Sequence, residues 1–368
     1  MVDNAESIWF EVHSRYASLM DKQSVDAFFI LYVWLAMEKG VNLRVEGTVS
    51  RRLAESVTTE VKDYFLTLCP ELHDVEIIVE KKCSAWTNEE ATSATGFSGG
   101  VDSWYTALAA EESNKPYDFF LFANTGQHGI VNVDEVFRRR AELAEHIVRT
   151  LNKPMLSVNT NIDQVFSQPF QQRDVLGNVA CVMCLQNGIS QYDYSSTYAA
   201  EDAGIKQHYD MSIMDPWLLP ALATERVQFH SVGDTETRLE KLRFIAAAEH
   251  FSKELYVCIE KNLPVKNCGE CFKCRRTQIA LECLGETELL ANSFDAASYR
   301  RIRGASILGI FSLEKTSVLD AEVARQLIDT YGVQIVHLRW FGKVWSQVRK
   351  RLPDCVGWRI EKKAPYLW

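Results

Sequence analysis

The chain has no apolar run long enough to cross a bilayer. Its longest, Ala27 to Met37, suits a buried helix, whereas a span needs about 20 apolar residues. Positive charge is in deficit. Lys and Arg number 40 against 49 Asp and Glu, a net charge of −9, which disfavours non-specific nucleic-acid binding by the whole surface. The opening Met1-Val2-Asp3-Asn4-Ala5-Glu6 is acidic and lacks an apolar core, so no secretory signal is expected. These absences point to a soluble, cytoplasmic protein with no membrane partner. The bulk composition, 47% hydrophobic and 24% charged, is ordinary for a globular chain, and 368 residues suffice for one large domain or two. Ten cysteines without a secretory signal suit a reducing compartment, where they act as metal ligands, redox groups or core residues.

Two further absences define the most informative stretch, Gly96-Phe97-Ser98-Gly99-Gly100-Val101-Asp102-Ser103. No lysine follows its glycines, so it is not a Walker loop, and it is not the dinucleotide G-x-G-x-x-G. Small, β-tolerant residues precede it and a helical run, Trp104 to Glu112, follows. The pattern predicts strand, tight turn, helix. Adjacent glycines permit φ > 0 and close approach of a ligand. The helix turns its unsatisfied N–H groups and positive dipole end into the turn. Ser98 and Ser103 add hydroxyl donors, which makes the stretch an anion site.

The rest of the chain organises around it. Residues 1 to about 90 predict a separate α/β module, with helices over Ser24–Lys39 and Ser50–Leu68 and strands over 42–47 and 74–80. From Thr92 strands alternate with helices: strands at 117–123 and 154–158 and a fourth within 188–197, helices at 133–151 and 175–185. Such alternation implies a parallel sheet covered on both faces, with ligands beyond the carboxyl ends of its strands. That rule gathers the Ser98–Ser103 loop, Asn124 to His128, Asn159 to Asn161 and Ser195 to Thr197 around one crevice. A helix over 234–250 carries Arg238, Lys241 and Arg243, and residues 254–258 read as a strand. Helices at 286–291, 321–330 and 333–351 form a C-terminal extension, with Arg300-Arg301-Ile302-Arg303 and Arg349-Lys350-Arg351 as solvated helix faces.

Cys268-Gly269-Glu270-Cys271-Phe272-Lys273-Cys274 spaces three thiols at two-residue gaps, which lets thiolates face one ion. Cys258, across a nine-residue gap, is the natural fourth ligand. Four thiolates make a closed structural zinc site; an iron–sulfur cluster uses the same ligands. Cys181 and Cys184, three apart among apolar neighbours, read as core residues, with a redox or sulfur-transfer role as the alternative. His128 and His230 are candidate proton carriers, although a lone histidine is more often structural.

The Ser98–Ser103 run resembles the PP-loop of ATP pyrophosphatases, a superfamily that includes GMP and NAD synthetases and tRNA thiolases. A PP-loop followed about 160 residues later by a cysteine and then a three-cysteine run is similar to the 7-cyano-7-deazaguanine synthase family over roughly residues 92–285. The resemblance implies a Rossmann-like parallel sheet (residues 91–285) flanked by the N-terminal module (1–90) and a helical extension (286–368). It also implies that Cys258, Cys268, Cys271 and Cys274 hold Zn2+, the knuckle spanning 258–274. Gly126-Gln127 matches the family's pair after the second strand, so Asn124, Gly126 and Gln127 join Ser98, Gly99, Gly100, Val101, Asp102 and Ser103 as the expected ATP-binding set. Thr237-Arg238-Leu239-Glu240-Lys241 matches its lysine-bearing helix. Asp102, Ser103, Arg238 and Lys241 are thus the expected catalytic residues, with Mg2+ on the phosphates. For Arg238 and Lys241 the alternative is an exposed helix face paired with Glu240. The family's segment before the middle helix is only echoed, by Arg173-Asp174, where the substrate would bind. This departure marks a divergent relative of the kind found in antiviral defence. The implied activity is adenylation of a deazaguanine-type acid and its transfer to ammonia or another amine, a protein acceptor among the candidates, by a homodimer. A tRNA thiolase and a nucleotide-binding protein without turnover are the alternatives.

Overall fold

The computed structural model describes residues 7–87, 92–127, 133–248, 254–260 and 266–349. The chain forms two compact units. One comprises residues up to Ser98 and from Asp102 to Glu236; the other comprises Gly99–Val101 and the chain from Thr237 onward.

The first unit is built on a six-stranded sheet. Its strands are β1 (Phe10–Val12), β4 (Ser93–Gly96), β5 (Phe119–Ala123), β6 (Met155–Thr160), β7 (Gln191–Ser195) and β8 (Gln228–Val232), in the order β1-β6-β5-β4-β7-β8. β1 runs antiparallel to β6, and every other pairing is parallel. Parallel strands are covered on both faces and so read as apolar runs; Phe120, Leu121, Phe122 and Ala123 of β5 are all buried. Helices α1 (Asp26–Lys39), α2 (Val101–Glu112), α3 (Val133–Thr150) and α4 (Asp174–Cys184) flank the strands. α4 is buried from Val175 to Cys184 except at Asn178, and it packs against α1. The expected strands of residues 1 to about 90 exist as β2 (Leu43–Ser50) and β3 (Ile77–Cys83), a separate parallel pair. The expected helix over Ser50–Leu68 runs from Arg51 to Leu68 with a π-helical turn at Val57–Val61, capped by the Ser50 hydroxyl. The periodicity of the sequence misses β1 and β8.

The second unit is helical. It contains α5 (Arg238–Ala247), α6 (Phe272–Leu284), α7 (Ala296–Leu313), α8 (Val318–Tyr331) and α9 (Val336–Arg349), with a short helix at Thr287–Ser293 between α6 and α7. The C-terminal extension is helical as expected, although only the Arg300–Arg303 stretch of α7 reads as helical from the sequence. Arg300 and Arg301 are exposed on it, while Arg303 is paired with Glu282. Of the second basic stretch, Lys350 and Arg351 lie outside the described residues. Residues 254–258 are not a strand. Asn267 Oδ1 accepts the N–H groups of Val257 (3.0 Å) and Cys258 (3.2 Å), and Ser293 Oγ accepts that of Leu255 (2.9 Å). Side chains satisfy the backbone where a neighbouring strand was expected to.

Candidate functional site

β4 lies between β5 and β7 and delivers the chain, at the carboxyl end of the sheet, into the glycine turn. Gly99 has φ +75°, a conformation costly for any residue with a Cβ. Phe97 N–H donates to the Leu121 carbonyl (2.9 Å), and Ser98 N–H to Ser103 Oγ (3.3 Å). The Phe97 ring meets Trp104 and Phe120 edge to face, at 5.1 and 5.4 Å. Within the second unit, Tyr256 N–H donates to the Gly99 carbonyl (2.8 Å). α2 starts at Val101, so Asp102 and Ser103 occupy its first turn. Ser98 is exposed, Gly100 and Asp102 are half-buried, and Gly99, Val101 and Ser103 are buried. Strand, turn and helix therefore stand as the sequence predicts, and the start of a twelve-residue helix offers its N–H groups where an anion can be held.

The loop after β5 is fixed by its own polar groups. Asn124 Nδ2 donates to Asn159 Oδ1 on β6 (2.8 Å). Gln127 Oε1 accepts from the Thr125 N–H (2.9 Å) and hydroxyl (3.1 Å), and its Nε2 donates to the Ala123 carbonyl. Gly126 has φ +115°, and a Cβ there would stand 2.5 Å from Asp163 Oδ1 and 3.1 Å from Arg173 Nη2. Only glycine fits. Arg173, 2% exposed, clamps this loop: it donates to the Thr125 carbonyl (3.1 Å), the Gln168 carbonyl (3.3 Å) and Asp163 Oδ1 (2.5 Å), and covers the Phe166 ring. Sequence reasoning treated Arg173 as a faint echo of a family segment; its position just before α4 was the available signal. Asn161 serves the fold, since its amide bonds the backbone of Ser7 and Trp9.

On α5, Lys241 is 1% exposed and Arg238 is 9% exposed. The alternative that these cations sit on a solvated face paired with Glu240 does not hold. Glu240 instead closes a capping box with Thr237, and that hydrogen bond to the Thr237 backbone N–H holds its carboxyl below the usual range. Lysine is almost never fully buried without a partner, so these are placed charges. His230 Nδ1 lies 3.1 Å from Asp193 Oδ1, and Asp193 also accepts from Tyr117 (2.7 Å) and Gln191 (2.9 Å). His128 lies outside the described residues.

The four cysteines meet in the second unit. The Sγ atoms of Cys258, Cys268, Cys271 and Cys274 all lie within 4.8 Å of one another, with Cys268 and Cys274 at 3.9 Å. Tetrahedral thiolates at a Zn–S distance of about 2.3 Å stand about 3.8 Å apart, so the set fits one ion. A cubane cluster takes one thiolate at each of four irons and needs a wider cage. Backbone N–H groups already face the sulfurs. Glu260 and Cys268 donate to Cys258 Sγ (3.3 and 3.4 Å), and Glu270 and Cys271 to Cys268 Sγ (3.3 and 3.2 Å). Gly269, at φ +74°, makes the tight bend that aims the second pair. Hydrogen bonds with Cys258 pull the Cys268 and Cys271 thiols down, Cys268 to about 6, and hydrogen bonds with neighbouring sulfurs push Cys258 and Cys274 up. The cluster can hold zinc, with no position left open for chemistry.

No protein-family model, curated protein or solved structure matches this chain. Function therefore rests on the residues themselves. Among the thiols, burial pushes Cys181 well above its ordinary value and Cys184 up to about 12. Both belong to the core against α1, and neither is a thiolate at neutral pH. Among the described residues no helix is long and apolar enough to cross a membrane.

Proposed function

We propose that the chain is a cytoplasmic, ATP-dependent C–N ligase of the PP-loop kind. It activates a carboxylic acid as its adenylate and passes the acyl group to ammonia or another amine. The observation that carries this reading is the turn after β4, where Gly99 at positive φ leads into α2 with Asp102 and Ser103 in its first turn. A parallel sheet presents that turn at its carboxyl end, where such sheets take ligands.

In the proposed reaction the N–H groups at the start of α2 and the hydroxyls of Ser98 and Ser103 hold the phosphates of ATP. Asp102 is the carboxylate available to a Mg2+ ion, which shields phosphate charge when bound. A carboxylate oxygen of the acid attacks the α-phosphorus, and the bond to the β-phosphate oxygen breaks, so pyrophosphate leaves with the electron pair. The resemblance of the Thr237–Lys241 stretch to the family's lysine-bearing helix supports Arg238 and Lys241 as the positive charge for that leaving group. The amine then attacks the acyl carbon. AMP departs, a proton is released and an amide remains; a second activation of the amide gives a nitrile. The resemblance to 7-cyano-7-deazaguanine synthases supports a 7-carboxy-7-deazaguanine-like acid, and a protein amine as a candidate acceptor. Zinc on the four cysteines is structural here. The sulfur-transfer reading has no reactive thiol in the Cys181–Cys184 pair.

Pyrophosphate release from ATP, measured with a carboxy-deazaguanine and ammonia, tests the proposal. The wild-type chain is expected to release pyrophosphate and AMP only when the acid is present. Asp102→Ala, folded by circular dichroism, is expected to lose this release by at least about 100-fold, in line with removing an electrostatic catalytic group; undiminished release overturns the assignment.

A further inference from the structure

Gln278 is fully buried, at 0% exposure, and neither its amide oxygen nor its amide nitrogen has a hydrogen-bond partner among the described residues. Buried polar groups in folded proteins are almost always bonded, so an exception calls for a cause. Its place supplies one. Gln278 follows Cys274 by one turn of α6. Residues four apart share a helix face, and long side chains lean back toward the helix N-terminus. The Gln278 side chain therefore lies over the turn that carries Cys274. Its Nε2 stands 3.4 Å from where a Cβ on Gly269 would be, against the bend between Cys268 and Cys271. The bend that carries Cys268 and Cys271 is therefore what the amide faces.

We propose that Gln278 is a positioning residue of the metal centre. When an ion is bound, its Nε2–H donates to a thiolate of the Cys268–Cys271 bend, and this bond raises the affinity of the site. The proposal rests on the four-cysteine metal site and is independent of the ligase reading. Outer hydrogen bonds to metal ligands typically tune affinity by about 10- to 100-fold.

The test uses the full chain with two substitutions. Gln278→Met keeps the length and removes the amide; Gln278→Glu keeps the shape and replaces the amide N–H donor with a carboxyl. Zinc transfer to a chromophoric chelator gives affinity, and the sulfur-to-cobalt charge-transfer band of Co2+-loaded protein reports on the thiolates. Both variants are expected to bind zinc about 10- to 100-fold more weakly and to shift the cobalt band. In urea, metal-free Gln278→Met is expected to equal or exceed the metal-free wild type, because it removes an unsatisfied buried amide. Loaded Gln278→Met is expected to fall below the loaded wild type. Native zinc affinity with an unmoved band overturns the proposal, as does equal destabilisation of the loaded and metal-free forms. If Gln278→Met does not fold, Gln278→Glu carries the affinity and spectral readouts. A wild-type chain that takes up neither zinc nor cobalt removes the metal site and this inference together, and leaves pyrophosphate release as a separate question.

Discussion

Both units have an apolar core, with Ile279, Leu281, Ile307, Phe311 and Leu327 buried in the second, but the first adds strand pairing to it, while the second adds a charge network and a sulfur cluster. In the first, Phe97, Phe120, Tyr192 and Phe229 are buried around the central strands, and α1 and α4 pack through side chains such as Phe29, Trp34, Val179 and Val182. In the second, Glu282 on α6 accepts from Tyr299 (2.5 Å) and Arg303 (2.5 to 2.9 Å) on α7 and from Tyr331 (2.5 Å) on α8. Arg276 on α6 makes a two-point pair with Asp320 on α8 at 2.5 and 2.9 Å, both side chains buried. The cysteine set closes the start of α6. Apolar burial is indifferent to pH and chelators; ion pairs and thiolates are not. Chelators should therefore act on the second unit and spare the first.

Three experiments break or sharpen that contrast, from the largest effect to the smallest. With zinc bound to the four cysteines, adding a chelator or replacing Cys268 by Ser should remove a binding free energy on the order of 10 kcal/mol. Hydrogen exchange on the full chain should then show protection lost over 266–284 and kept in β4, β5 and β7. Equal loss in both regions would erase the distinction. Next, Arg276→Ala leaves Asp320 buried and uncompensated, and should cost about 3–5 kcal/mol in urea unfolding. Arg276→Met combined with Asp320→Leu should recover most of that. A double variant no better than the single one would mean that the pair itself, not the stranded charge, supplies the stability. The smallest effect concerns acid. Burial tends to raise the Glu282 carboxyl, but hydrogen bonds from Arg303, Tyr299 and Tyr331 outweigh it and hold the group below its ordinary 4.5. A depressed folded value adds stability that is present above about pH 4.5 and lost as pH falls through the folded value. Glu282→Gln should flatten that part of the pH profile for the second unit and leave the first unchanged. An unaltered slope would assign the acid sensitivity elsewhere.

The sequence carried some of this and concealed the rest for physical reasons. The turn at Ser98–Ser103 and the cysteine spacing were legible because both depend on short-range backbone geometry, which residue type dictates. The apolar strand at Phe119–Ala123 and the helix at Asp174–Cys184 were legible from composition alone. β1 is three residues whose partner, β6, lies about 150 positions away, so nothing local marks it. β8 contains Gln228, His230 and Ser231 and lacks the apolar run of a central strand, because it sits at the sheet edge. α7 was legible only through its arginines, read as a solvated helix face, and one of them pairs with Glu282. For Lys241 and Arg238 a solvated face stood beside the catalytic reading, because periodicity cannot distinguish a buried cation from a solvated one. The Arg173 clamp needed three dimensions, since its partner Thr125, 48 residues away, approaches only through the fold.

The hydrogen bond from Tyr256 to the Gly99 carbonyl sets an order of events in the making of the protein. The glycine turn is synthesised early, and its partner follows 157 residues later (256 − 99). At roughly 5–20 residues per second, the nascent turn waits on the order of 10 seconds for that donor. The strands of the first unit can pair during the wait, but the second unit closes only after its own C-terminal stretch has left the ribosome. A fragment beginning at Thr237 lacks Gly99–Val101 altogether, and so does not contain everything from which the second unit is made.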